Sequence, residues 1–211
     1  MTYLVDSILF QDLAALNSET VCRNALCEYD HEHRCFYLSV WGDRYAIYPY
    51  EKRIDRLGAH DKDAHEYINV FLLHYLLQAK QIEATNDWIS EKDIPGGATF
   101  FRGPHKIPTH LISQQYGNNL KAFGERCQSL QGVPLELADM AYRFQITPRI
   151  RIAVLYWEGD ETFLPEAKLL YDRSISKQFA PDVIFALACE ICHKIGRMPS
   201  TPLSSENGLI S

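Results

Sequence analysis

The chain has 211 residues, 46% hydrophobic and 23% charged, with a formal net charge of -6. A chain of that length buries roughly 70% of its unfolded surface and needs no disulfide or metal staple to fold. Its composition excludes wholesale disorder, and its negative charge disfavours a general nucleic-acid binder.

No apolar run approaches the ~20 residues of a membrane span. The opening Met1-Thr2-Tyr3-Leu4-Val5-Asp6 lacks the basic start of a secretory signal. A cytoplasmic protein with no membrane or nucleic-acid partner is expected.

Residues 7–28 are predicted as two helices. Ile8, Leu9, Leu13 and Leu16 share one face of the first. Asn17 or Ser18 caps the second, which carries Val21, Ala25 and Leu26. At 35–48 the period changes to two, and residues 36–40 and 45–48 flank the pair Gly42-Asp43 as a β-hairpin closed by Pro49.

After a polar link at 58–64, residues 65–80 are predicted as the central helix. Apolar side chains cover nearly its whole circumference. His74 inside it reads as a hydrogen-bonded core histidine rather than a ligand. Residues 86–105 are irregular and turn at Pro95-Gly96-Gly97. A short helix at 109–116 ends at Gly117. Asn118 or Asn119 caps another, with Leu120, Phe123, Cys127 and Leu130 at helical spacing.

From Ala138 the period is two again. One strand alternates through Met140, Tyr142, Phe144 and Ile146, Pro148 turns the chain, and a second strand runs through Ile150, Ile152, Val154 and Tyr156. Residues 158–161 make a turn into a third strand at 167–171, an antiparallel meander by its short links. Pro181 opens the last helix, whose buried face is Val183, Ile184, Leu187, Ile191 and Ile195.

The expected fold is therefore one α+β domain over 1–197 with a loose tail at 198–211. A mixed or mainly antiparallel sheet packs against helices. The hairpin and the 138–171 strands are expected to join one sheet.

Four constellations could carry chemistry. Cys189-Glu190-Ile191-Cys192-His193 formally matches a haem-attachment run, but such haem requires export. A dithiol on the helix flank is the sharper alternative to two ordinary helical cysteines. Cys22, Cys27, His31, His33 and Cys35 gather five ligand-type residues. Their spacing matches no standard zinc or iron–sulfur run, and Cys22 and Cys27 fall about 140° apart around a helix. They read as core thiols and solvated histidines, with no metal site. All six cysteines are read as free thiols.

The third constellation lies at 95–105. Gly96 and Gly97 admit close approach to a ligand, Arg102 is a fixed cation for carboxylate or phosphate, and His105 can exchange a proton near neutrality. Phe101 can wall a pocket. The bland reading is a glycine turn before a strand. In the fourth, Trp157 precedes Asp160 and Glu161, which can bind a cation, take a proton or pair with Arg149 or Arg151. The same residues also make an ordinary hairpin turn.

Together the 95–105 run, Phe123, Gly132, Asp139, Pro148, Trp157-Glu158-Gly159-Asp160-Glu161-Thr162-Phe163 and Leu170-Tyr171-Asp172 resemble a bacterial and archaeal domain family of unknown function. The resemblance covers about residues 35–185. It implies an association with anaerobes, some members adjoining iron–sulfur cluster modules, and it implies no activity. This chain lacks the separate cluster-binding cysteine module of the longer members.

The leading expectation is a domain that binds a small molecule or cofactor in anaerobic metabolism. Its pocket would lie between Gly96, Gly97, Phe101, Arg102 and His105 on one side and Trp157, Asp160 and Glu161 on the other. The cofactor is unassigned, a tetrapyrrole or corrinoid being the candidate the resemblance suggests. One alternative is an enzyme pairing His105 with Asp160 or Glu161 as acid and base. Another is an interaction module assisting an iron–sulfur or corrinoid protein.

Overall fold

The computed structural model describes residues 7–58 and 67–197. Most of the expected link at 58–64 and the whole 198–211 tail lie outside the described residues. Among the described residues, two antiparallel sheets and seven helices make an α+β arrangement. No helix among them is long and apolar enough to cross a membrane.

The first sheet grows from the expected hairpin, β2 (Cys35–Val40) and β3 (Asp43–Tyr48). The turn residues are Trp41 and Gly42, with φ of 49° and 83°, one position earlier than the expected pair. Two left-handed residues match the right-handed twist of the strands. Trp41 is held in that conformation on three sides. Its N–H donates to the Ile146 carbonyl at 2.7 Å, its indole N–H donates to the Leu130 carbonyl at 3.0 Å, and its ring meets Phe144 edge-on.

Two further strands complete the sheet. β1 (Glu28–Asp30) pairs with β2, and β4 (Arg53–Leu57) pairs with β3.

The second sheet runs β5 (Trp88–Ile89), β9 (Glu166–Asp172), β8 (Ile150–Trp157), β7 (Met140–Thr147), β6 (Val133–Leu135). The hairpin does not join it, contrary to the single sheet expected. Both hairpin edges are already filled by β1 and β4, so only its tip, through Trp41, bonds to β7. Alternation along β8 sends Ile150, Ile152, Val154 and Tyr156 into the main core and Ala153, Leu155 and Trp157 to the outer face.

The helices are α1 (Ser7–Ala15), α2 (Ser18–Ala25), α3 (Tyr67–Gln78), α4 (Gly97–Phe100), α5 (His110–Tyr116), α6 (Leu120–Ser129) and α7 (Pro181–Gly196). Asn17 and Asn119 cap α2 and α6 by accepting from Thr20 N–H and Ala122 N–H. In α1 the inward residues are Phe10 and Leu13, while Ile8 and Leu16 stand exposed. The bulkier Phe10 takes the core position that the expected stripe gave to its neighbours.

α3 and α7 lie side by side. Burial of α7 extends beyond the expected stripe to Ala186, Ala188, Cys189 and Cys192. The two thiols are thus core groups rather than flank groups, because α7 packs on α3, α5 and the Tyr171 side of β9. Gln78 donates its side-chain N–H to His74 Nδ1 at 2.9 Å, and burial lowers the His74 pKa.

One buried carboxylate ties the second sheet to the chain that precedes it. Asp172 is 1% exposed. It accepts from the N–H groups of Thr85 (3.1 Å), Asn86 (2.6 Å) and Ser174 (3.0 Å) and from the Thr85 hydroxyl. Burial alone would raise its pKa, but these donors outweigh burial and hold it below the ordinary carboxyl value. Asp172→Ala leaves three backbone donors without their acceptor, at roughly 1–3 kcal/mol each before water relieves part of the cost. A loss of roughly 2–4 kcal/mol in urea unfolding is expected. A depressed folded-state pKa means that this stabilisation is present above the ordinary value and lost as pH falls through the folded one. The acid limb of the wild-type stability curve should therefore be shallower in Asp172→Asn.

Candidate functional site

The chain leaves the sheet at Ile89, which pairs with Tyr171. Ser90 then closes a reciprocal cap, its hydroxyl and N–H both donating to Asp93 over a 3-10 turn at Glu91–Asp93. Gly96 is left-handed at φ 78°. Gly97 passes so near that turn that a Cβ on it would stand 1.9 Å from the Glu91 carbonyl oxygen. The crossing explains Gly97, and the left-handed turn explains Gly96. The chain then enters the helical turn α4, not the strand of the bland reading, because Phe100 and Phe101 N–H groups bond back to Gly96 and Gly97.

A second tight turn, Gly103–His105, brings His105 back over Phe100. The two rings are stacked at 4.4 Å and 18°. Phe185 of α7 stands edge-on to His105 at 5.4 Å, and Tyr67 of α3 meets Phe185 at 6.1 Å. The rings form a half-exposed shelf. Phe101 is turned into the core, so the aromatic against His105 is Phe100. Arg102 and His105 are exposed. Neither side chain makes a hydrogen bond or ion pair among the described residues.

The Trp157 turn is built differently. Asn118 clasps Gly159, accepting from its N–H at 2.8 Å and donating to its carbonyl at 3.0 Å. Glu158 N–H donates to Asp139. Asp160 accepts from the N–H groups of Thr162 and Phe163, which holds its carboxyl below the ordinary range. It is the cap of its own turn. Arg149 and Arg151 are engaged elsewhere, Arg149 on the Arg23 and Asn24 carbonyls and Arg151 on Gln145 and Asn86. Glu161 is exposed, and Trp157 lies under the Lys168 ammonium at 5.3 Å.

The two sequence-derived segments attach to opposite ends of α7. His105 sits by Phe185, near its start. Asn118 comes just after α5, whose Leu111 backs onto Gly196 and whose Tyr116 hydroxyl donates to the Ile195 carbonyl. Ten residues of helix separate Phe185 from Ile195, about 15 Å. Among the described residues no hydrogen bond, ion pair or ring contact joins His105 to Asp160 or Glu161.

A further cluster lies between β3, β4 and the last turns of α7. Asp43 accepts from Lys194 at 2.7 Å and from Arg56 at 2.9 Å, and the Lys194 ammonium lies 4.9 Å from the Trp41 ring centre. Glu190, one turn before Lys194, has an oxygen that is buried with no hydrogen-bond partner among the described residues. Burial pushes its pKa up to about 7, against the pull of Lys194, Arg197 and Arg56. Asp43 goes the other way. Burial raises it, but Lys194 and Arg56 bring it below the ordinary value. Only the i,i+4 spacing of Glu190 and Lys194 is visible in the sequence. Asp43 lies 151 residues from Lys194.

Of the cysteine–histidine group, His33 pairs with Asp30 at 2.8 Å, His31 lies edge-on to Tyr29, and Cys35 is buried. No three His, Cys, Asp or Glu side chains converge as metal ligands among the described residues.

Two outcomes are expected from this geometry. Gly97→Ala should lose roughly 1–3 kcal/mol of stability, as an overpacked backbone contact does, and release the 91–105 segment to faster amide exchange. The Glu190 value lies above the ordinary carboxyl value of 4.5, so the folded protein holds a proton that the unfolded chain gives up. Its contribution to stability therefore declines as pH rises from about 4.5 to about 7. Thermal melts should show Glu190→Gln close to wild type near pH 5 and more stable than wild type near pH 8.

No curated protein and no solved structure matches the chain. A family model described as a domain of unknown function (DUF3786) matches residues 17–194. That span takes in both sheets, the aromatic shelf and the Glu190 cluster, and the chain belongs to the DUF3786 family.

Proposed function

We propose that the domain binds a small molecule at the shelf of Phe100, His105 and Phe185, with Arg102 supplying the charge complement. The supporting observation is the stacked His105–Phe100 pair, an exposed imidazole that makes no hydrogen bond among the described residues, three positions after the exposed Arg102. Aromatic faces recognise a flat conjugated ring, Arg102 recognises a carboxylate or phosphate, and His105 donates or accepts one hydrogen bond. The ligand class is therefore a flat ring bearing an acid group. A cofactor of anaerobic metabolism fits that description on the strength of the family resemblance alone.

A second reading, docking of a protein partner, draws on the outer face of the second sheet. Trp88, Leu135, Ala141, Ala153, Leu155, Trp157 and Leu170 form an apolar cluster made only of strand residues. Phe163 and Leu164 beyond it are 71% and 89% exposed. Two such exposed side chains, in the turn that follows Trp157 of the cluster, suit an interaction module.

Native mass spectrometry of protein purified anaerobically, with its absorption spectrum, separates the two. A bound small molecule, held about tenfold more weakly in Arg102→Ala and in His105→Ala, is the expected result, since one charge-assisted contact is worth roughly 1.5 kcal/mol. A bare polypeptide that shows no thermal shift with a panel of aromatic acids and nucleotides overturns the ligand reading. A co-purifying protein lost on Phe163→Asp supports the second.

A further inference from the structure

The six cysteines do not share one environment. Cys35, Cys127, Cys189 and Cys192 are buried, whereas Cys22 and Cys27 reach the surface in part. Those two are also in contact. The Cys27 thiol donates to the Cys22 sulfur at 3.8 Å. Helical geometry alone would hold them about 140° apart, but α2 stops between them. Leu26 turns left-handed at φ 54° and ψ 53°, and the N–H groups of Leu26 and Cys27 both bond back to the Cys22 carbonyl. This curl carries Cys27 onto the face of Cys22.

The curl is anchored from beneath. The Arg149 guanidinium donates to the Asn24 carbonyl at 2.5 Å and the Arg23 carbonyl at 3.3 Å, and the Tyr75 hydroxyl donates to the Ala25 carbonyl at 2.8 Å. The two sulfurs are therefore set beside each other by the fold.

We propose that Cys22 and Cys27 are a reversible redox pair, closed to an intramolecular disulfide by a low-molecular-weight disulfide and reopened by the corresponding thiol. Bringing the sulfurs to a bond length of about 2.05 Å needs a movement of less than about 2 Å, within reach of side-chain rotation.

The Cys22 thiolate attacks one sulfur of the oxidant. A mixed disulfide forms and the first small thiolate leaves. Cys27 then loses its proton to solvent and attacks the Cys22 sulfur, forming the internal bond and expelling the second small thiolate. Two protein thiols are oxidised and one external disulfide is reduced to two thiols. The order of attack is set by the contact. Burial raises both thiols and most strongly Cys27, while the hydrogen bond from Cys27 eases ionisation of Cys22. Because both start above their ordinary value, closure should accelerate about tenfold per pH unit near neutrality.

Trypsin offers a clean readout, since Arg23 lies between the two cysteines. Residues 1–23 hold only Cys22 and residues 24–34 only Cys27. The full-length protein is equilibrated in buffers from reduced to oxidised glutathione, quenched with an alkylating agent under denaturing conditions, and digested without reduction. The expected result is a linked 1–23/24–34 pair that rises from near zero to near completion, with the four other thiols alkylated throughout. Added reductant should reverse it. Cys22→Ser and Cys27→Ser should each abolish the linked pair. If either variant fails to fold, the wild-type titration decides alone. Six alkylated thiols in fully oxidised buffer, bridges to other cysteines, or a stable glutathione adduct on Cys22 overturns the proposal.

Discussion

The Asp172 carboxylate is the constraint on which the position of the aromatic shelf depends. β5 pairs with β9 over only two residues, too short a strand to hold an edge by its own ladder. The edge is held because Thr85 and Asn86, just before it, place their N–H groups on a carboxylate at the end of β9. The Arg173–Asp87 ion pair reinforces the same junction from the surface. With that hook in place, the Ser90–Asp93 cap, the Gly97 crossing and the two turns that stack His105 on Phe100 all start from a fixed point. Without it, the 85–105 segment has few backbone bonds to the rest of the molecule.

Three half-buried or buried charges are treated in three ways, and the difference separates architecture from chemistry. Asp172 is surrounded by donors, and Arg149 is spread over two helix-end carbonyls of α2. Each is satisfied by backbone groups at an element's end or in a loop, so each fixes a chain path. Glu190 has cations near it and yet a buried oxygen without a hydrogen-bond partner among the described residues. A carboxyl left in that condition sits near its titration midpoint at neutral pH, and the fold gains no bond from ionising it. Its environment is what a proton-exchanging group requires. A carboxyl with a purely structural role can share that environment, so the geometry assigns Glu190 no reaction.

Legibility in the sequence tracked the range of the interaction. The caps at Asn17 and Asn119, the stop at Gly117 and the alternation from Met140 to Tyr156 are local, and each is found where the residues indicate. Separation of the two sheets was not legible, because it turns on β1 and β4. These are short strands with mixed burial and no clean alternation, yet they fill the hairpin edges. The partners of His105 were half legible. Its own turn is local, whereas Phe185 arrives from α7, far along the chain, in a helix already apolar over most of its surface. The Asp43–Lys194 bond has no local trace at all.

The glycine-rich run changes meaning once its geometry is known. As bare sequence, Gly96 and Gly97 suggest a backbone that lets a ligand approach closely. In the structure the close approach at Gly97 is to the chain's own Glu91 carbonyl, and Gly96 and Gly103 supply left-handed turns. Phe101, the expected wall, belongs to the core. Those four residues are accounted for by folding and carry no functional argument. What folding leaves unexplained is what the turns present outward, an exposed Arg102 and an imidazole stacked flat on Phe100, neither making a side-chain hydrogen bond or ion pair among the described residues. An exposed charge alone is ordinary. The stacked, exposed ring is the part of the run that the turns do not require, and it is the feature on which the proposed binding role rests.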